Sequence, residues 1–460
     1  MSLKNIPAHI FKAYDIRGIV GDSLTPEIVY LIGKAIGSRA IELENHRVVV
    51  GRDGRLSGPD MVWALSDGIT STGVHVVDIG MVPTPVVYFA TWHLETGASV
   101  SVTGSHNPPD YNGFKIMLGG ETLSGEEIQG LYQRIRHDRF ATGRGSVTKQ
   151  SVTADYINTI VSDVQVKRPL KIVMDCGNGV AGVLAPTLFR ALGVDLVELF
   201  SEVDGTFPNH HPDPIDEKNL LDLKAAVRQH QADFGIAFDG DGDRLGLVTA
   251  EGNTVWPDRQ LILFARDILK RQPGAEIIFD VKCTRSLPAA IESAGGKATM
   301  YKTGHSLIKS KLKQSGAALA GEMSGHIFFK ERWYGFDDGM YAGARLCELV
   351  TNQEKSPTEL FNELPGLLNT PELRLELEEG EQHQLIGELV EIADFPEGTV
   401  HTIDGLRVDF EFGFGLCRAS NTTPTVIMRF EADTPQNLEQ IQNRFKQLLL
   451  TVRPGIELPF

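Results

Sequence analysis

Cysteine, basic charge and long apolar runs are all scarce in this chain of 460 residues. The cysteines Cys176, Cys283, Cys347 and Cys417 lie far apart, and none belongs to a C-x-x-C pair. Neither a zinc site nor a disulfide framework is indicated, and buried, reduced thiols are expected. No apolar run approaches the roughly 18 residues that a membrane span needs. The stretch from Met1 to Ile19 holds no signal-peptide core, because Lys4, His9, Lys12 and Asp15 interrupt it. A cytoplasmic protein is expected. Lys plus Arg number 44 against 60 Asp plus Glu, a net charge of −16. So acidic a chain makes nucleic acid and anionic membrane poor partners. An anionic substrate would have to be held by a local cluster of Lys, Arg, His and backbone N–H groups.

What is present is ordinary globular material, 42% hydrophobic and 23% charged, long enough for three or four domains. Its most informative feature is a pattern that recurs. Three β-branched runs end in polar turns: Arg47–Asp53, Lys171–Asp175 and Glu276–Asp280. Each is followed by a helical-period stretch and then by a glycine (Gly73, Gly193, Gly295) that opens a second short strand. A third strand then runs into a polar loop. Ala98–Val102 leads into Thr103-Gly-Ser-His-Asn-Pro108, Asp233–Phe238 into Asp239-Gly-Asp-Gly-Asp-Arg244, and Ala317–Ala320 into Gly321-Glu-Met-Ser-Gly-His326. Strand–helix alternation implies α/β units with mixed or mostly parallel sheets. Ligands of such sheets bind beyond the carboxyl ends of strands, so three equivalent loops could line one cleft. From about Leu367 the pattern changes to alternating runs such as Leu373–Leu377 and Thr425–Phe430. A closing helix follows, with Thr434 as N-cap, Pro435 as its first residue, and Leu438, Ile441, Phe445, Leu448 and Leu449 on one face. The expected architecture is three topologically related α/β domains with mixed sheets (1–150, 151–253, 254–365) and a smaller C-terminal α+β domain (366–460), around a central cleft.

The loops carry the chemistry. In Asp239–Arg244 three carboxylates alternate with glycines directly after an apolar strand, so a tight turn can make them converge. Converging carboxylates repel by several kcal/mol, at about 4 Å and an effective dielectric near 20, unless a cation lies between them. Hard oxygen ligands suit Mg²⁺. An EF-hand loop fails here, because its sixth position is Arg244 and its twelfth Ala250. In Thr103–Lys115 a serine beside a glycine at a strand end can act as a nucleophile, with His106 and Lys115 as nearby donors or acceptors. No G-x-S-x-G elbow points to acyl transfer, and the Asn-Pro and Asn-Gly dipeptides also fit a plain turn. Glu322 and Ser324, two apart on an exposed loop, are a reasonable pair for sugar hydroxyls; taken alone, a polar turn fits them better. Arg418-Ala-Ser-Asn-Thr-Thr-Pro424 offers a guanidinium fork and neutral donors suited to phosphate, or a turn closing a hairpin. Gly177-Asn-Gly-Val-Ala-Gly182 is formally a dinucleotide fingerprint with Glu198 beyond it, which would make the protein a dehydrogenase. The same slot recurs at Arg52 and Lys282 without such glycines, so a packing turn explains it. His210-His211 on a Pro-rich loop reads as solvated.

Taken together and in this order, the four polar loops resemble the motifs of the α-D-phosphohexomutase superfamily, and look nearest to its bacterial phosphomannomutase/phosphoglucomutase branch. The resemblance covers essentially the whole chain. It implies that Ser105 carries an exchangeable phosphoryl group and that Asp239, Asp241 and Asp243 bind Mg²⁺ together with a phosphoserine oxygen. It places Arg244 near the transferring group. Tyr14 and Arg17 match a segment facing the cleft, and Lys115, Lys282, His305 and His326 match residues that contact substrate or handle protons. Arg418, Ser420, Asn421 and Thr422 match the loop for the unreacting phosphate, and Glu322 and Ser324 the contacts to the 3- and 4-hydroxyls. Glucose and mannose differ only at C2, so a site of this kind should accept both. The implied activity interconverts hexose 1- and 6-phosphates through a hexose 1,6-bisphosphate, which also serves as activator. A phosphoglucosamine mutase and an inactive sugar-phosphate-binding protein are the alternatives beside the dehydrogenase. The resemblance also points to a monomer with a mobile last domain.

Overall fold

The computed structural model describes residues 6–421 and 423–460. Its backbone falls into two compact units, Met1–Gln260 with His305–Glu363, and Leu261–Gly304 with Leu364–Phe460.

In the first unit the recurrent pattern becomes recurrent topology. Strand Arg47–Arg52 lies parallel to both His75–Met81 and Ser99–Val102, and Ser99–Val102 turns back as the antiparallel strand Tyr111–Leu118. Lys171–Asp175 likewise lies parallel to Asp195–Leu199 and Phe234–Phe238, and Phe234–Phe238 turns back as Leu245–Thr249. A third hairpin joins Leu319–Gly321 to Ile327–Phe329. The three polar loops are therefore one hairpin connection in three copies, each after a buried strand. The first sheet holds seven strands, with Ile16–Ile19 at one end and Val147–Lys149 at the other. Its central strands are buried along almost their whole length, as strands covered on both faces must be. Helix Pro26–Glu42 starts at Thr25, whose side chain accepts from the Ile28 N–H, and buries Ile28, Val29, Ile32 and Ile36.

The second unit contains the parallel pair Glu276–Asp280 and Lys297–Tyr301. It also holds an antiparallel sheet of six strands: Leu368–Asn369, Leu373–Glu376, Gly398–His401, Leu406–Phe410, Gly413–Ala419 and Thr425–Ala432. Helix Pro435–Val452 closes it. Thr434 caps its N-terminus and Ile441, Phe445 and Leu449 are buried, as the sequence indicates. Gly73, Gly193 and Gly295 all have φ between 80° and 103°, the left-handed turn by which the chain leaves a helix for the next strand. All four cysteines are buried and none is joined in a disulfide. Among the described residues no helix is long and apolar enough to cross a membrane.

Candidate functional site

The first unit brings the three hairpin loops together. The Ser105 hydroxyl donates to Asp239 Oδ2 at 3.1 Å and lies 3.1 Å from His106 Nδ1. The serine is only 2% exposed, deeper than an exposed strand-end nucleophile, because the second loop packs on it. A Cβ on Gly240 would stand 2.3 Å from the Ser105 carbonyl oxygen, so this approach requires glycine. Thr84 N–H donates to the Asp241 carbonyl, and its hydroxyl to Asp241 Oδ2 at 2.6 Å. The second and third loops meet through an isolated bridge between Arg244 and His326.

Asp239, Asp241 and Asp243 are fully buried, and one oxygen of each lies within 4.8 Å of the others. The Asp241 and Asp243 Oδ1 atoms are buried without a hydrogen-bond partner. Lys115 Nζ reaches Asp241 Oδ2 at 2.8 Å and Asp243 Oδ2 at 2.5 Å. Burial opposes the Lys115 charge, but the two carboxylates outweigh it and hold the group well above the usual lysine value. Burial would also raise Asp241; Lys115 and the Thr84 hydroxyl instead hold it well below the carboxylate range. Asp239 goes the other way, pushed well up by burial and by the charges of Asp243 and Asp241. Three converging carboxylates, two of them with an unpartnered oxygen, and one disfavoured ionisation are a donor set that fits a small divalent cation.

Around this nest sit the remaining groups. Arg244 Nε donates to His326 Nε2 at 3.1 Å and lies 3.8 Å from Asp239. His326 Nδ1 lies 3.0 Å from Asp337 Oδ2, and Asp337 pairs with Lys309 at 2.9 Å. Lys309 in turn bonds the Tyr88 hydroxyl at 3.0 Å. The His305 ring stands 5.6 Å from that of His326 and 6.2 Å from that of Tyr14. Burial and then Lys309 drive His305 well below the usual histidine value; burial and then Arg244 do the same to His106. Arg17 is hydrogen-bonded to Asn107 of the Ser105 loop and to Asp15. Glu322 is buried and Ser324 half-buried, so this loop is less exposed than its sequence implies, because Gly325 packs against Arg244. Sequence reasoning missed Thr84, Tyr88, Lys309 and Asp337. Their partners lie on other hairpins and helices, and only the acidic pair before helix Gly339–Thr351 hints at Asp337.

The other expected residues belong to the second unit. Lys282 Nζ pairs with Glu372 at 2.8 Å. Arg418 is buried and pairs through Nε with Asp404 at 3.0 Å. Ser420 Oγ accepts from the Thr423 N–H and hydroxyl at 3.2 and 3.0 Å. Asn421 is half-buried, and Thr422 lies outside the described residues. Two sequence signals resolve differently. His210 is not simply solvated; its Nε2 lies 3.0 Å from Asp175 Oδ2. Around Gly177–Gly182, a Cβ on Gly182 would stand 2.0 Å from the Ser201 carbonyl, and the helix after it has only seven residues, Ala185–Ala191. Gly179 and Gly182 pack against the chain's own backbone and Gly177 against Pro212 and His210, as a packing turn does.

Known proteins resemble this chain along nearly its whole length. Models of the phosphoglucomutase/phosphomannomutase family match along the chain: α/β/α domain I at residues 8–142, domain II at 154–252, domain III at 256–367 and the C-terminal domain at 372–448. The chain is 53% identical over 455 residues to a phosphomannomutase/phosphoglucomutase of Pseudomonas aeruginosa, covering 99% of this chain and 98% of that protein. It is 55% identical over 451 residues to a phosphoglucomutase of Neisseria meningitidis, covering 97% and 98%. Among solved structures, a phosphoglucomutase/phosphomannomutase family protein from Burkholderia thailandensis superposes with a TM-score of 0.94 at 52% identity, covering 99% of this chain and all of that one.

Proposed function

Because the chain belongs to the phosphoglucomutase/phosphomannomutase family, we propose that it interconverts the 1- and 6-phosphates of mannose and glucose, with Ser105 as the phosphoryl carrier. The observation that carries this is the contact of the Ser105 hydroxyl, at 3.1 Å, with a buried three-carboxylate nest. In the first half-reaction an oxygen of the sugar attacks the phosphorus on Ser105. A new sugar O–P bond forms, the Ser105 Oγ–P bond breaks, and a hexose 1,6-bisphosphate results. After the bisphosphate turns over, Ser105 Oγ takes the other phosphate and the isomeric monophosphate leaves.

Asp239, Asp241 and Asp243, with an oxygen of phosphorylated Ser105, would hold Mg²⁺, which when bound supplies positive charge to the transferring group. Catalysis of phosphoryl transfer rests mostly on positioning and charge compensation. Lys115 and Arg244 supply further compensation from this chain. Lys115 is held in its charged form and suits that task better than proton abstraction. His305, kept neutral by its surroundings, and His326, set between Arg244 and Asp337, are the groups that take and return the hydroxyl proton. Glu322 and Ser324 meet the 3- and 4-hydroxyls, roughly exchanged by the turnover, and Arg418, Ser420, Asn421 and Thr422 grip the distal phosphate.

The test is a coupled assay with glucose 1-phosphate and mannose 1-phosphate, with and without Mg²⁺ and hexose 1,6-bisphosphate. Turnover of both sugars that needs the metal and rises with the bisphosphate is expected. Rates on glucosamine 6-phosphate far above those on mannose 6-phosphate would replace this assignment with a phosphoglucosamine mutase.

A further inference from the structure

Directly after strand Arg47–Arg52, in a turn that reads from sequence as ordinary polar connection, Arg55 is only 1% exposed. Its five N–H groups are all engaged. Nε donates to Asp53 Oδ2 at 3.2 Å. Nη1 donates to the Pro108 and Tyr111 carbonyls at 2.5 and 2.9 Å, and Nη2 to those of Ser105 and Asn107 at 2.9 and 2.6 Å. An arginine has five such hydrogens, and here four go to the backbone of one loop. Asp53 works from the other side of that loop. Its Oδ2 accepts from the Thr103 hydroxyl at 2.8 Å and from Gly104 N–H at 3.1 Å, and the Ser105 N–H donates to Thr103 Oγ1 at 2.8 Å. The peptide groups on both sides of Ser105 are thus fixed by two residues some 50 positions earlier.

Ser105 needs that hold. Its φ is +49°, a left-handed conformation that is strained for a residue with a Cβ. The fit is close on every side. A Cβ on Gly104 would stand 2.4 Å from Arg55 Cζ, and one on Gly240 2.3 Å from the very carbonyl that Arg55 holds.

We infer that Arg55, backed by Asp53, is a positioning residue for phosphoryl transfer: it holds the Ser105 backbone in the left-handed geometry that aims Oγ at the Asp239–Asp243 nest. This rests on the phosphoserine role proposed for Ser105. A misplacement of about 1 Å at a reacting atom can lower a rate on the order of 100-fold. A residue that only stabilised the fold would lower the melting temperature and leave kcat in place.

The test uses the full-length, magnesium-loaded, bisphosphate-activated enzyme carrying Arg55→Lys, which keeps the charge but replaces a five-donor fork by a three-donor point. The expected result is a fall in kcat of about 100-fold with KM for glucose 1-phosphate within about threefold. The single-turnover rate of Ser105 phosphorylation by glucose 1,6-bisphosphate, read by intact mass, should fall in parallel. Unchanged kcat with a lowered melting temperature, or a raised KM with unchanged kcat, would overturn the inference. Should Arg55→Lys not fold, Asp53→Asn keeps the shape of the pair and is expected to show a smaller loss of the same kind; kcat unchanged there overturns it equally. Wild-type protein that takes no phosphoryl group from the bisphosphate removes the phosphoserine role itself, a failure visible without any variant.

Discussion

The Ser105 loop of the first unit and the Arg418 loop of the second are both polar hairpin turns with phosphate work in the proposed reaction, and the bonds described for them differ in reach. The Ser105 loop is fixed from a distance. Asp53, Arg55, Thr84 and Gly240, on three other stretches of chain, bind or press on it or on the Asp239–Arg244 loop beside it, and the serine itself is kept left-handed. The described bonds of the Arg418 loop are local. Ser420 bonds Thr423 three residues on, Ser420 N–H donates to the Thr425 carbonyl, and Arg418 pairs with Asp404 across the neighbouring strand turn. The difference suits what each loop would do in the proposed reaction. Where a bond is made and broken, one geometry serves and must be imposed. Where a phosphate is gripped in either of two sugar orientations, donors of suitable charge suffice.

The sharpest way to break this contrast is to remove each loop's principal group. Ser105→Ala takes away the carrier, so mutase turnover should vanish in the coupled assay. Binding of glucose 1-phosphate by calorimetry should persist. Residual turnover near wild-type would place the carrier elsewhere. Arg418→Ala removes binding shared by ground and transition states, so KM should rise about 10- to 100-fold, the worth of a hydrogen bond to a charged group, with kcat changed only a few-fold. A loss confined to kcat would mean that the two loops do the same kind of work.

How much of this was written in the sequence divides along the same line. Local signals were legible. The three strand–helix–glycine repeats, the hairpin loops at strand ends, the alternating carboxylates and the Thr434–Pro435 cap each lie within a few residues and obey steric or hydrogen-bonding rules that act over that range. The long-range holds were not. Arg55 in Arg52-Asp53-Gly54-Arg55 looks like a solvated turn, and only the folding of a hairpin some 50 residues later buries it. His210 likewise became a partner of Asp175 only when two distant loops met. Lys309 and Tyr88, 221 positions apart, carry no mark of their contact beneath the histidines. Polar residues that finish a site from another element obey no spacing rule, so no periodicity reveals them.

A matched pair of threonines gives the finest test. Thr103 Oγ1 links the Ser105 N–H to Asp53 Oδ2, and all three groups are buried. Thr103→Ala therefore leaves a buried N–H and a carboxylate oxygen each short of a partner, a cost of about 1–3 kcal/mol, some of it borne by the serine's geometry. Thr423 Oγ1 bonds Ser420 Oγ at 3.0 Å in a part-buried turn where water can replace it. Thr423→Ala should cost on the order of 0.5–1 kcal/mol and appear as a KM increase of a few-fold. The expected outcome is that Thr103→Ala lowers kcat about tenfold at nearly constant KM, while Thr423→Ala does the reverse and does less. Steady-state kinetics on both variants decides it. Equal effects on the same parameter would mean that the nucleophile loop is no more imposed from outside than the phosphate loop, and the contrast drawn between them would fail.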